Sequence, residues 1–208
     1  MIEFAFVAAL LAQDTVLLVQ DTIPRLPRCD SREFEGAHED CVLVTADGRI
    51  AFFTFEPGEW GERGTLIVRN AARDCLWTDE FETESFFYPR LEDLDGNGFE
   101  DILVPLITGN VNTEMLLIMG GEGGYALASR ELSGHTFEPV EPGLFVVQAR
   151  SSAAEHFASF YTWNGEALDL EASVAITFED EDSATCTLAT GHVGRGEDFY
   201  CNAVMSND

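Results

Sequence analysis

Asp93, Asp95, Asn97 and Asp101 stand at the first, third, fifth and ninth positions of one short stretch, Asp93-Leu94-Asp95-Gly96-Asn97-Gly98-Phe99-Glu100-Asp101. Gly96 and Gly98 fall where the backbone has to turn sharply, so the spacing wraps oxygen atoms around one point. The donor set is three carboxylates, the amide oxygen of Asn97 and the main-chain carbonyl of Phe99 at the seventh position. Calcium takes several hard oxygen ligands of this kind and is the expected cofactor, with Asp93, Asp95, Asn97, Phe99 and Asp101 as its ligands. The plain alternative is an Asx-rich turn without an ion, which leaves three negative charges crowded together with nothing to offset them.

Other chemistry finds little support in the residues. No Gly-x-Ser-x-Gly elbow, His-Glu-x-x-His helix or paired Cys-x-x-Cys motif occurs, which weakens hydrolase and zinc readings. His38, His135, His156 and His192 are scattered over expected loops and strand ends and read as surface or hydrogen-bonded residues. With 38 acidic residues some carboxylates must lie close together, so pairing alone does not signal a glycosidase. Trp60, Trp77 and Trp163, with 16 Phe, are read as core before they are read as a sugar platform. No catalytic residue is assigned, and a non-enzymatic protein is expected.

All 11 basic residues are Arg and the formal net charge is −27. The absence of Lys removes a phosphate-loop lysine, a Schiff base and an amine nucleophile, and the acidity argues against nucleic acid. A cationic partner, metal ions or a salty exterior suits the charge, as does a simply solvated acidic surface. The apolar run over residues 1–12 is far too short to span a bilayer and reads as a secretory signal peptide, cleaved near Ala12-Gln13. Glu3 stands where a basic residue is usual, which leaves a different start codon or a buried N-terminal strand open. A periplasmic or secreted location without a membrane span is expected.

Five cysteines agree with export. Cys186 and Cys201 flank Gly191-His192-Val193-Gly194-Arg195-Gly196 and would face each other across a hairpin, and Cys29 and Cys41 are similarly placed about Glu35-Gly36. Two local disulfides follow, although five cysteines permit other pairings. Cys75 is left over as a small buried apolar residue.

The elements that must position these groups read as antiparallel strands. Short β-branched and aromatic runs recur, and few stretches show a helical period. Cys41–Val44 and Ile50–Phe55 are joined across Ala46-Asp47-Gly48, and Phe157–Trp163 and Ala167–Leu170 flank Asn164-Gly165. Thr65–Val68, Ile102–Val104, Met115–Met119, Tyr125–Leu127 and Leu144–Val147 have strand length, with a hairpin tip at Gly120–Gly124 and an acidic turn at Glu179–Asp182. Residues 13–208 are expected to form a single β-rich domain. Its class is all-β, with antiparallel sheets in a sandwich-like or incomplete propeller-like arrangement carrying one calcium loop.

The acidic loop begins like the loop of an EF-hand, but Val104 replaces the bidentate Glu at position twelve and a strand follows in place of a helix. In this it resembles the calcium loop of FG-GAP repeats, which leads straight into a strand. A wider resemblance spans about Trp77 to Ile176. It rests on the order of the loop, Thr108-Gly109-Asn110-Val111-Asn112, a Gly-rich tip, Arg130-Glu131-Leu132, Gln148-Ala149-Arg150-Ser151-Ser152 and Tyr161-Thr162-Trp163-Asn164-Gly165. That order is similar to bacterial periplasmic proteins related to inhibitors of invertebrate-type lysozyme. These include calcium-binding immunity proteins against peptidoglycan hydrolases delivered by type IV secretion. The resemblance implies a non-catalytic inhibitor that plugs a cationic, lysozyme-like cell-wall hydrolase with a loop. The expected plug is Arg150-Ser151-Ser152, with Ser133-Gly134 as the alternative. Ser133-Gly134-His135-Thr136 departs from the Ser-Gly-x-Tyr plug of such inhibitors by lacking the Tyr. The alternative reading is an FG-GAP-type adhesion or scaffold module, and a secreted carboxylate-based hydrolase is a third.

Overall fold

Two-residue alternation of buried and exposed positions dominates the first third of the chain and builds its first sheet. The computed structural model describes residues 26–180, 183–191 and 195–205. The expected signal peptide, the centre of the His192–Gly194 turn and part of the acidic Glu179–Asp182 turn lie outside these. Strands β1 (Cys41–Val44), β2 (Ile50–Pro57), β3 (Glu62–Arg69) and β4 (Cys75–Thr83) form an antiparallel meander in sequence order. On β3, Gly64, Leu66 and Val68 are buried while the residues between them are not, so one face of this sheet packs and the other meets water. Ala46-Asp47-Gly48 turns β1 into β2, with Gly48 at φ +83° and the Thr45 hydroxyl donating to Asp47.

The second sheet is another meander, of β5 (Arg90–Glu92), β6 (Asp101–Thr108), β7 (Thr113–Gly121) and β8 (Gly124–Gly134). Its inner strands are apolar without alternation because both of its faces are covered. Ile102, Val104, Leu116 and Ile118 pack with Leu43, Phe53, Leu66 and Val68 of the first sheet. From the other face, Leu103, Met115, Leu117 and Met119 pack with Phe137, Phe145 and Val147 of the third. That third sheet runs β9 (Thr136–Glu141), β10 (Leu144–Arg150), β11 (Glu155–Trp163), β12 (Leu168–Asp180) and β13 (Ser183–Gly191). Its outer face carries Val146, Phe160, Val174 and Ile176 against Tyr200 and Val204 of helix α1 (Glu197–Met205). The protein is thus all-β and sandwich-like: three antiparallel sheets stacked face to face, with one short helix closing the stack and no closed barrel among the described residues. No helix among the described residues is long and apolar enough to cross a membrane.

Both expected disulfides are present. Cys29–Cys41 joins a 3-10 turn (Cys29–Ser31) to β1, and Cys186–Cys201 joins β13 to α1. Their sequence separations of 12 and 15 correspond to about 3 kcal/mol each through restriction of the unfolded chain. The second pair is not the hairpin the spacing predicts: Cys201 sits on a helix that folds back over the sheet. Glu197 and Asp198 in its first turn favour the helix start. Arg195 just before it forms ion pairs with Glu141 and Glu171, and the Tyr200 hydroxyl donates to Glu171 at 2.7 Å. Cys75, expected inside, is exposed on the water-facing side of β4.

The first turn of every sheet lies at the same end of the stack, and the turns are tied together. The Ala46 N–H donates to the Glu100 carboxylate at 2.6 Å, and the Gly143 N–H donates to the Asp95 carbonyl at 2.6 Å. At the opposite end lie the β2–β3 tip (58–61), the β4–β5 crossover (84–89), the β6–β7 tip (109–112) and the β10–β11 tip (151–154). These too are linked: Glu84 N–H donates to the Leu106 carbonyl at 2.7 Å, and Asn112 and Arg150 exchange two hydrogen bonds of 2.9 Å.

Candidate metal centre

The Asp93–Asp101 loop connects β5 to β6 in the middle sheet, where both flanks are held by core packing. Leu94, between the first two acids, is fully buried in the second core and anchors the loop from below. Gly96 and Gly98 adopt φ of +65° and +86°, the left-handed turns that L side chains resist. The chain then closes on its own carboxylates. Asp93 accepts the Asn97 and Gly98 N–H groups at 3.0 Å each, and Asp95 accepts the Asn97 N–H at 3.1 Å. The Asn97 side-chain amide donates to Asp95 at 3.0 Å and to the Gly120 carbonyl at 2.9 Å, and its oxygen accepts the Phe99 N–H at 2.7 Å.

Asp101 is fully buried, its two oxygens taking the Leu94 N–H at 2.9 Å and the Gly120 N–H at 2.7 Å. Gly120 therefore serves the loop through both its N–H and its carbonyl. A Cβ there would stand 2.6 Å from the Glu100 carbonyl, so only glycine permits β7 to run this close. In the sequence this residue reads only as part of a hairpin tip. Nothing in its spacing from Asp93 announces the role. Phe99 turns its ring under the Arg49 guanidinium, 5.0 Å from the centroid, and Arg49 pairs with Asp47 at 2.8 Å.

Asp93, Asp95 and Asp101 each offer an oxygen, and these three atoms lie within 4.8 Å of one another. Calcium binds oxygen at about 2.3–2.6 Å, so ligands on opposite sides of one ion are separated by roughly twice that distance. The donor set and its span fit calcium. The carboxylates also disfavour their own charges: burial pushes the Asp101 carboxyl up to about 7 against the two N–H groups that favour its ionised form, with Asp95 and Asp93 adding repulsion. Asp95 is raised as well, first by burial and then by Asp93, while the Asn97 hydrogen bonds act against it. A site that disfavours its own charges to this degree is relieved by a cation.

The two segments expected to contact a partner both lie at the other end. Ser133 is exposed on the last turn of β8, but Gly134 is buried where the middle and third sheets touch. A Cβ on Gly134 would come within 2.5 Å of a Val147 methyl and 2.7 Å of the Gln148 carbonyl, so this glycine serves sheet packing. Arg150, Ser151 and Ser152 are exposed, with the Ser151 and Ser152 N–H groups donating to the Glu155 carbonyl to close a tight tip. The same end presents exposed apolar side chains, Trp60, Phe86, Phe87, Ile107 and Val111, whereas composition places the Trp and Phe residues in the core. Their position on strand tips is the only signal that marks them.

No protein-family model matches the chain, and no curated protein sequence matches it. Among solved structures it is similar in fold to one described as a Xanthomonas type IV secretion system related protein, with a TM-score of 0.50 at 8% identity. The match covers 76% of this chain and 90% of that one.

Proposed function

We propose that the protein is a calcium-stabilised, non-catalytic inhibitor of a basic, lysozyme-like peptidoglycan hydrolase, acting in the periplasm or outside the cell. The observation that carries this reading is the division of labour between the ends of the sheet stack. Carboxylates converge inside one end, and exposed tips gather at the other. Asp93, Asp95 and Asp101, with Asn97 and the Phe99 carbonyl, would hold the ion, and its charge offsets their repulsion and fixes the start of β6. At the far end, Arg150, Ser151, Ser152 and Ser133 stand where they can enter a cleft. The −27 charge steers a cationic enzyme toward the protein and acts on the association rate more than on affinity. The two disulfides fit an oxidising compartment. The fold neighbour described as related to type IV secretion agrees with the resemblance to immunity proteins against hydrolases delivered by such a system.

A second reading, a calcium-stabilised scaffold or adhesion module, is favoured by the three consecutive meanders whose first turns share one end. Lysis of a peptidoglycan suspension by a basic lysozyme, followed by turbidity with and without the protein, separates the readings. Slower lysis in calcium, and less slowing in chelator, is expected. Unchanged lysis leaves the scaffold, and faster lysis points to a carboxylate hydrolase.

A further inference from the structure

Beside the β2–β3 tip lies a cleft of about 580 Å³ between that tip, the β4–β5 crossover and the segment around Phe34. Trp60 stands over it with 69% of its surface exposed. Glu59, Glu62 and Glu84 line it, and no basic residue does.

Its walls are fixed. Gly58 N–H donates to the Gly61 carbonyl at 3.0 Å, and Gly61 has φ +82° with a would-be Cβ 2.3 Å from the Thr83 carbonyl, so the tip is locked against the end of β4. On the other side, buried His38 bonds Glu62 through Nδ1 at 2.5 Å and the Phe87 carbonyl through Nε2 at 3.1 Å, with its own N–H on the same carboxylate. The two contacts hold the ring between the start of β3 and the β4–β5 crossover. Glu59 and Glu84 form no ion pair among the described residues. The arginines nearby are engaged elsewhere, Arg63 with Glu56 at 3.5 Å and Arg32 with Glu39.

We propose that this cleft receives an arginine side chain from a loop of a basic partner protein, its guanidinium stacked on Trp60 and facing Glu59 and Glu84. An exposed indole with two unpaired carboxylates suits a guanidinium, which is planar, weakly hydrated and able to bond carboxylates while lying on an aromatic face. Aromatic and arginine anchors of this type dominate protein interfaces. The occupant is a protein because the cleft opens on the row of tips that runs to Arg150, a surface longer than any small cation needs. The inference rests on the proposed function for the identity of the partner and stands on the cleft alone for its chemistry.

Two measurements keep these apart. In the first, the isotopically labelled full chain in calcium buffer is titrated with N-acetyl-arginine amide and, separately, with the neutral citrulline analogue, while amide and indole signals are followed by NMR. Shifts confined to the Trp60 indole, Gly61 and Glu84, absent with citrulline and lost in Trp60→Ala, are expected. Equal responses to both compounds, or none at these signals, overturn the cleft. In the second, a basic lysozyme that the wild type inhibits is bound to Glu59→Gln/Glu84→Gln, and affinity is expected to fall about tenfold. Unchanged affinity there overturns the cleft and leaves the inhibitor reading intact. If no basic hydrolase binds while the arginine amide still titrates the Trp60 signals, the inhibitor reading fails and the cleft stands.

Discussion

The two ends of the sheet stack place their residues in opposite ways. At one end a carboxylate, Asp101, is withdrawn completely from water, with Asp95 nearly so; at the other, Trp60, Phe86, Phe87 and Val111 each expose about half or more of their surface. Burying carboxylates together without a counter-charge costs stability, and so does holding aromatic rings in water. Neither arrangement helps the isolated chain to fold. On the proposed reading both are sites completed by something else, a small cation inside one end and a large surface against the other. The stacked cores between the ends supply the rigidity that holds each arrangement in place.

The largest effect that sharpens this contrast is metal removal. Calcium bound by the folded state alone stabilises it by about 2.7 kcal/mol at a hundredfold excess over Kd. For a chain of this size that is roughly 5–10 °C in Tm. Chelation should lower Tm accordingly, and Asp95→Ala should remove most of the response. Trp60→Ala, at the other end, should shift stability by no more than about 0.5 kcal/mol and leave the calcium response whole. Scanning calorimetry of the three proteins with calcium and with chelator decides. A Tm indifferent to both reagents breaks the metal reading, and an equal loss in both variants breaks the contrast.

A smaller effect concerns pH in the absence of metal. The Asp101 carboxyl holds its proton up to about 7 in the folded protein, whereas in the unfolded chain it releases it near ~3.9. The folded state therefore binds more protons in this interval. The stability contributed by the protonated group is fully present below about pH 4 and is lost as pH rises through about 7. Asp95 is shifted in the same direction and adds to the trend. In chelator, Tm should decline across this window, and Asp101→Asn, which cannot ionise, should flatten the decline. With calcium the sign reverses, because protons compete with the ion for the carboxylates. Identical slopes for wild type and Asp101→Asn in chelator count against a buried, proton-holding Asp101.

Much of this architecture is legible in the sequence where one physical rule dominates. The Asp47-Gly48 and Asn164-Gly165 turns, the continuous apolar runs of β6 and β7 and the spacing of Asp93 to Asp101 all declare themselves. The stacking that explains those runs does not, since an apolar pentad such as Met115–Met119 does not say which two sheets cover it. Strand β4 is hidden because its inward-facing positions include Asp79 and Thr83, so the burial that alternates from Thr78 to Thr83 is not matched by an alternation of apolar and polar residues. Helix α1 buries only Tyr200 and Val204, one turn apart, too brief a period to register in nine residues. That is why the spacing predicts the bond between Cys186 and Cys201 through a hairpin, whereas Cys201 lies on a helix. The Asp93–Asp101 loop is readable because its acidic residues are local in sequence. The tip face is not, because Trp60, Phe87, Val111 and Arg150 are brought to one end only by the topology.

The smallest expected effect tests whether that face acts as one surface. Asn112 on the β6–β7 tip donates from its amide to the Arg150 carbonyl and accepts the Arg150 N–H, each at 2.9 Å, and so sets the spacing between the middle and third sheets at this end. The pair is exposed, so water replaces much of what Asn112→Ala removes, and the stability cost should be only about 0.5–1.5 kcal/mol. Binding should respond differently. If a partner engages the Trp60 cleft and the Arg150–Ser152 tip together, slackening the link between them makes the partner order the face as it binds, and the dissociation rate should rise by several-fold while association, set by the net charge, stays the same. Surface plasmon resonance against a lysozyme that the wild type inhibits reads both rates. An unchanged dissociation rate means that the tips act independently. A slower association rate means that Asn112 contributes to steering, which the neutrality of its side chain does not allow on electrostatic grounds, and the single-face description would then have to be abandoned.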